Sequence, residues 1–155
     1  MSGKTFQNDP LREFLEESNR IEGIALPTTI QQISAALDFL ALPSIRIIDL
    51  SFIVNVFQPD AVLRNKPGLD VRVGNHIPLP GGKDVPIVLQ YLLDEIRKRR
   101  LTPYQAHQDY ETLHPFTDCN GRSGRLLWLW HMGGVGEAPL GFLHSWYYQS
   151  LSERR

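Results

Sequence analysis

The stretch "LHPFTDCNGRSGR", Leu113–Arg125, decides how the rest of the chain is read. A histidine, an acid, the only cysteine, two arginines and two glycines fall within it, more chemistry than a turn between two helices needs. Asn120-Gly121 bends the chain ahead of a helix starting near Arg122, whose first turn carries unpaired N–H groups and the positive end of the helix dipole. That is an anion cradle. Arg122 and Arg125, three residues apart, occupy neighbouring positions on one helix face. Both can fork onto phosphate oxygens. A carboxylate just before such a cradle, Asp118, is most useful holding Mg²⁺ beside phosphates. His114 lies at the end of the preceding helix, and an imidazole there can take a proton from a hydroxyl. A base, a metal ligand, an anion hole and two charge clamps are the parts that move a phosphate-containing group onto a hydroxyl.

Bulk properties narrow the setting. At 155 residues the chain suits one domain with a real core. Its net charge of −1 offers no basic field for nucleic acid. The one basic run, "RKRR" at 97–100, reads as the solvated end of a helix, complementing the dipole. With a single cysteine neither an intramolecular disulfide nor a multi-cysteine zinc cluster can form. The first ten residues are polar, without a signal peptide's apolar stretch, and no apolar run nears the roughly 20 residues that span a bilayer. The expectation is a soluble cytoplasmic protein that binds neither membrane nor nucleic acid.

Outward from the opening stretch the pattern is helical. Asp9-Pro10 is an N-cap with proline at the first helical position, followed by Leu11, Phe14, Leu15, Ser18, Ile21 and Glu22 near one face, with Gly23 as the stop. Thr28 with Gln31 predicts a capping box, and Ile30, Ile33, Leu37 and Leu40 an inward face ending before Pro43. "SIRIIDLSFIVNVF" has the β-branched content of a strand but the spacing of a helix. It is read as a helix capped by Ser44, with Ile45, Ile48, Phe52 and Val56 inward. Residues 66–82, dense in Gly and Pro around "VRV", predict a loop with a short hairpin. Asp84 opens a helix to Arg99 with Val88, Leu89, Leu92 and Ile96 inward, and Thr102–Gln105 is a capping box for a helix to Leu113. "RSGRLLWLWHM" is an apolar central helix ended by Gly133 and Gly134, and Glu137-Ala138-Pro139 starts a last one carrying Leu140, Leu143, Trp146, Tyr147 and Leu151. The fold class is all-α, a compact single-domain bundle with one small hairpin.

"HPFTDCNGRSGR" resembles the signature of Fic-domain proteins, His-Pro-Phe-x-(Asp/Glu)-Gly-Asn-Gly-Arg-x-x-Arg. It departs at one position, Cys119, where the family usually has glycine. The resemblance implies a mostly helical domain over 1–155 that transfers AMP from ATP to a Ser, Thr or Tyr hydroxyl of a target protein. It implies His114 as general base and Asp118 as ligand to Mg²⁺. Asn120, Gly121 and Gly124 fall in the nucleotide-binding turn, Arg122 on the β-phosphate and Arg125 on the γ-phosphate. Phe116 would fix the loop from the core. "VRVGNHIPLPGG" resembles the family's flap (about 68–82), with Val71, Val73 and Gly74 docking the target as an added strand. "WYYQSL" resembles a segment near the nucleotide base, with Tyr147 and Tyr148 as candidates for that pocket.

"SNRIEG", Ser18–Gly23, resembles the inhibitory motif (Ser/Thr)-x-x-x-Glu-(Gly/Asn) on a helix of about 10–23. Its N-terminal place resembles the subclass that carries the inhibitory helix ahead of the core in one chain. By that resemblance Glu22 pairs with Arg125, takes the γ-phosphate's position and repels the incoming anion. Some relatives are controlled by oligomerisation, so a homo-oligomer is an admitted partner. Three other readings stand beside this one. His107, Glu111 and His114, on one helix face, are a candidate metal set for a hydrolase. A nucleotide-binding regulatory module with little catalysis would follow if Cys119 closes the cradle. A Fic variant could transfer or remove another phosphate-containing group.

Overall fold

The computed structural model describes residues 9–134 and 136 of the chain. Among them are six α-helices: α1 (Pro10–Ile21), α2 (Ile30–Leu40), α3 (Ile47–Phe57), α4 (Asp84–Arg97), α5 (Pro103–Leu113) and α6 (Asn120–His131). The all-α class is as expected. The last predicted helix, with Tyr147 and Tyr148, lies outside the described residues.

Helix α6 is the centre. Ser123 to Leu129 are all buried, and the helix packs against α5, α1, α2 and α3. It begins at Asn120, two residues before the expected Arg122. Gly133 (φ 94°) and Gly134 (φ 102°) end it as expected, their N–H groups donating back to Trp130 and Leu129. Phe14 of α1 stacks on Trp128 with ring centres 6.4 Å apart.

The caps explain where the other helices start. Asp9 accepts from Leu11 N–H at 3.0 Å, with Pro10 at the first position. At α5 the Thr102–Gln105 box is reciprocal, with bonds of 3.0 and 3.1 Å. At α2 the box is Thr29 with Gln32, one residue later than Thr28 with Gln31. Thr28 is buried and donates to Glu16 instead. The buried face of α2 runs through Ile33, Ala35, Ala36 and Phe39, while Ile30 and Leu37 are exposed. The alanines add little apolar area, so counting large side chains misplaces the face, yet they let the backbone approach its neighbours closely.

The ambiguous segment is helical, α3. Arg46 rather than Ser44 precedes it, its N–H donating to the Asp49 carboxylate at 2.9 Å. Ile45 is buried as expected, but the inward set is Leu50, Ile53 and Val54; Ile48 and Phe52 face outward and Val56 is half-buried. A helix apolar all round does not advertise its buried side. Helix α4 stops at Arg97 instead of Arg99, and Arg99 has φ 57°. It buries Val85, Leu89, Leu92, Leu93 and Ile96 and leaves Val88 largely exposed. In the "RKRR" run Arg97 pairs with Asp94 and Arg100 with Glu95.

The hairpin expected over 68–82 is reduced to one isolated bridge between Val73 and His76, with bonds of 3.0 and 2.9 Å across a Gly74-Asn75 turn. A second bridge, Leu63 to Phe116, was not expected. There Arg64 N–H donates to Pro115 O, and Thr117 N–H to Val62 O, each at 2.9 Å. It clamps the 61–64 segment against the opening stretch.

Candidate functional site

The junction between α5 and α6 forms the floor of a cavity of about 530 Å³. Glu22 and Ile24 wall it on one side, Val71, Arg72 and Val73 on another, and His114, Asp118, Cys119, Asn120, Gly121 and Arg122 below. A mixed set of this kind, open on one side, can take an anionic ligand and an extended chain together.

His114 caps α5 in a left-handed conformation (φ 49°, ψ 65°), uncommon for a residue with a Cβ. Its Nδ1 is bonded to the carbonyl of Glu111. A carbonyl can only accept, so Nδ1 is the donor in that bond, which fixes the plane of the ring.

The turn after His114 is held by side chains facing inward. Phe116 is fully buried, as expected. The Asn120 amide is spent on it, accepting from Phe116 N–H at 2.9 Å and donating to Phe116 O at 2.8 Å. Asn120 therefore serves the cradle by shaping the loop. Asp118 is exposed, and its Oδ1 accepts from Cys119 N–H at 2.6 Å. The N–H groups of Asn120, Gly121 and Arg122 fall in the first turn of α6, where an α-helix supplies no partner.

Cys119, the N-cap, has φ 67°. An L-residue is thus held in a left-handed geometry that glycine would adopt freely. Its side chain is buried among core residues. Burial pushes the thiol up to about 11, with Arg122 and Arg125 partly offsetting that and Asp118 and Glu22 adding to it, so it is a neutral thiol near pH 7.

The two arginines of the turn have different surroundings. Arg122 lines the cavity, donating to Phe57 O at 3.3 Å and Gln58 Oε1 at 3.1 Å; its buried Nε has no partner among the described residues. Arg125 is almost fully buried beneath α1. Its Nε donates to Ser18 Oγ at 2.7 Å, and its Nη2 to Ser18 O at 3.1 Å and Glu22 Oε1 at 2.7 Å. Ser18 and Glu22 lie one turn apart on the same face, which is how both reach one guanidinium. Glu22 itself is the C-cap of α1. Gly23 (φ 74°) donates to Arg20 O and Ile24 to Asn19 O, the two bonds of a Schellman ending. That ending aims Glu22 at the cavity rim.

The glycines divide similarly. A Cβ at Gly121 would overlap the Glu22 carboxylate and crowd the Arg125 guanidinium. Gly121 is therefore what lets that carboxylate sit against the first turn of α6. Gly124 faces away from the cavity, where a Cβ would strike Glu111 and Tyr110 of α5; its carbonyl accepts from His107 Nδ1 at 3.0 Å. Val71 and Val73 line the cavity, while Gly74 belongs to the adjoining turn. His107 and Glu111 are buried between α5 and α6, and no group of three or more His, Cys, Asp or Glu among the described residues is placed to hold a metal, which overturns the hydrolase set of His107, Glu111 and His114.

Two residues that sequence reading passed over complete the site. Arg64 is wholly buried and bonds the carbonyls of Leu113 and His114. Gln58, just after α3, holds Arg122. Neither carries a local signal, since the bonds that tie each to the α5–α6 junction span about fifty or more residues. No helix among the described residues is long and apolar enough to cross a membrane. Scanned against models of known protein families the chain matches none, and a search of curated proteins finds no relative.

Proposed function

We propose that the chain is a protein adenylyltransferase of the Fic type, held back by its own first helix. The observation that carries the reading is the contact of Glu22 with Arg125 at 2.7 Å, between residues 103 positions apart whose pairing the resemblance implies. ATP is the nucleotide and the partner is a target protein offering a Ser, Thr or Tyr hydroxyl, in the cytoplasm. The 71–73 segment orients the target, which adds alongside it as a strand. His114 Nε2 takes the hydroxyl proton as the target oxygen bonds to the α-phosphorus. The bond to the bridging oxygen breaks, and pyrophosphate leaves. The first turn of α6 stabilises the charge growing on the α-phosphate, and Arg122 holds the β-phosphate.

Asp118 suits Mg²⁺ arriving with the nucleotide: this ion is commonly bound by one or two carboxylates plus phosphates and water, so a single exposed carboxylate is enough. Bound there, the ion would neutralise phosphate charge. Glu22 restrains the reaction by occupying the anion position beside Arg125 and Gly121.

The test is mass measurement of intact wild type and Glu22→Gly after incubation with ATP and Mg²⁺. The expected outcome is an AMP adduct on the variant itself or on added lysate proteins, absent from wild type and abolished by adding His114→Ala. No adduct in either form would sink the reading. The strained Cys119 in the cradle favours a second one, a nucleotide-binding module with little turnover. In that case calorimetry shows ATP binding to Glu22→Gly that needs Arg125, with no adduct formed. A product mass other than AMP would point to a variant chemistry.

A further inference from the structure

We infer that Arg64 is a positioning residue for this reaction, one guanidinium that sets the base-bearing turn and both stems of the target-docking segment relative to each other. The inference rests on the proposed roles of His114 and of the 71–73 segment.

The guanidinium is fully buried and donates to four main-chain carbonyls. Nε reaches His114 O at 2.6 Å and Nη2 reaches Leu113 O at 2.8 Å. Nη1 reaches Leu69 O at 3.2 Å and Leu79 O at 2.7 Å. The first pair is the carboxyl end of α5, where orphan carbonyls and the negative end of the helix dipole favour a cation. The second pair brackets Val71 and Val73 on both sides. The residue's own backbone repeats the pattern, its N–H donating to Pro115 O and its carbonyl accepting from Gly82 N–H.

A buried cation without a hydrogen-bonded carboxylate is an expensive way to fill space. Burial pushes its pKa down, and Asp70 offsets this only through space. An apolar side chain would serve packing alone. What it could not do is hold the left-handed His114 and the two stems with one rigid fork. Lysine could not either, because its ammonium is a point donor on a flexible stem. The base is thus fixed twice, at its carbonyl by Arg64 and at its ring by the Glu111 carbonyl.

The test uses the full chain carrying Glu22→Gly, with and without Arg64→Lys. ATP affinity should stay within about twofold while the rate of adduct formation falls at least about tenfold, a loss in kcat and not in nucleotide binding. Two readouts do not depend on activity. The His114 ring nitrogens should lose the signature of a protonated, hydrogen-bonded Nδ1. The amides of Val73 and His76 should exchange at least about tenfold faster, while those of Ile53 and Leu129 stay protected. Unchanged His114 nitrogens and unchanged Val73 and His76 exchange in folded Arg64→Lys would overturn the proposal. If Glu22→Gly forms no adduct, the functional reading fails, and these two readouts still decide whether Arg64 ties the segments. Should Arg64→Lys not fold, native-state exchange on wild type decides instead. The amides of Arg64, Gly82 and His114 should open as one unit with one denaturant dependence, and separate openings would refute the tie.

Discussion

Cys119 is a side chain in a glycine's conformation. Holding an L-residue at φ 67° costs roughly 1–2 kcal/mol, and the buried thiol offsets part of it through packing with the core. Removing the sulfur while keeping a Cβ should forfeit the packing and keep the strain. Cys119→Gly is therefore expected to be more stable than Cys119→Ala by about 1 kcal/mol, read from urea midpoints at equal m. An equal or reversed order would mean that the left-handed turn is not strained. Spacing marks Cys119 as the departure from the signature, but only the backbone reveals what it costs. Gly121 tells the opposite story. Its place in the motif implies a nucleotide contact, whereas in the folded chain its missing Cβ makes room for Glu22.

At the scale of the element, the direction in which α1 presents Glu22 depends on its last turn. The Schellman ending at Gly23 directs Glu22 toward Arg125. Gly23→Ala keeps every side chain of the contact and disturbs only the ending, at a cost of about 1 kcal/mol. Adduct formation by Gly23→Ala is expected to lie between that of wild type and that of Glu22→Gly. A variant as silent as wild type would mean that the aim is set elsewhere. The helices themselves were legible because caps and periodicity are local: Asp9-Pro10, Thr102 with Gln105 and the paired Gly133-Gly134 mark ends that the fold keeps. Faces were less legible. In α3 apolar residues surround the helix, so burial of Ile53 rather than Phe52 is settled by neighbours; in α2 the buried face is lined by alanines that hydrophobic counting underrates.

For the whole molecule, α6 serves as both core and site. Its first turn faces the cavity while its middle is enclosed by α1, α2, α3 and α5. Nucleotide binding should then report on the restraint as thermal stability. In Glu22→Gly, MgATP at about 100 times its Kd should stabilise the fold by about 2.7 kcal/mol, and the same concentration should shift wild type far less. Equal shifts in a melting experiment would show that Glu22 does not compete with the nucleotide.

Chemistry confined to neighbouring residues was determined by sequence alone. The helices and most of their ends, the concentration of a base, an acid and two arginines at one junction, and the spacing that puts Ser18 and Glu22 on one face all follow from local backbone physics. The tertiary structure decided what distance along the chain conceals. It buried Arg125 under α1, placed Arg64 among four carbonyls, paired Leu63 with Phe116 and reduced the expected hairpin to a single bridge. Each depends on desolvation and on donors meeting acceptors far away in sequence, and neither quantity exists until the helices have packed.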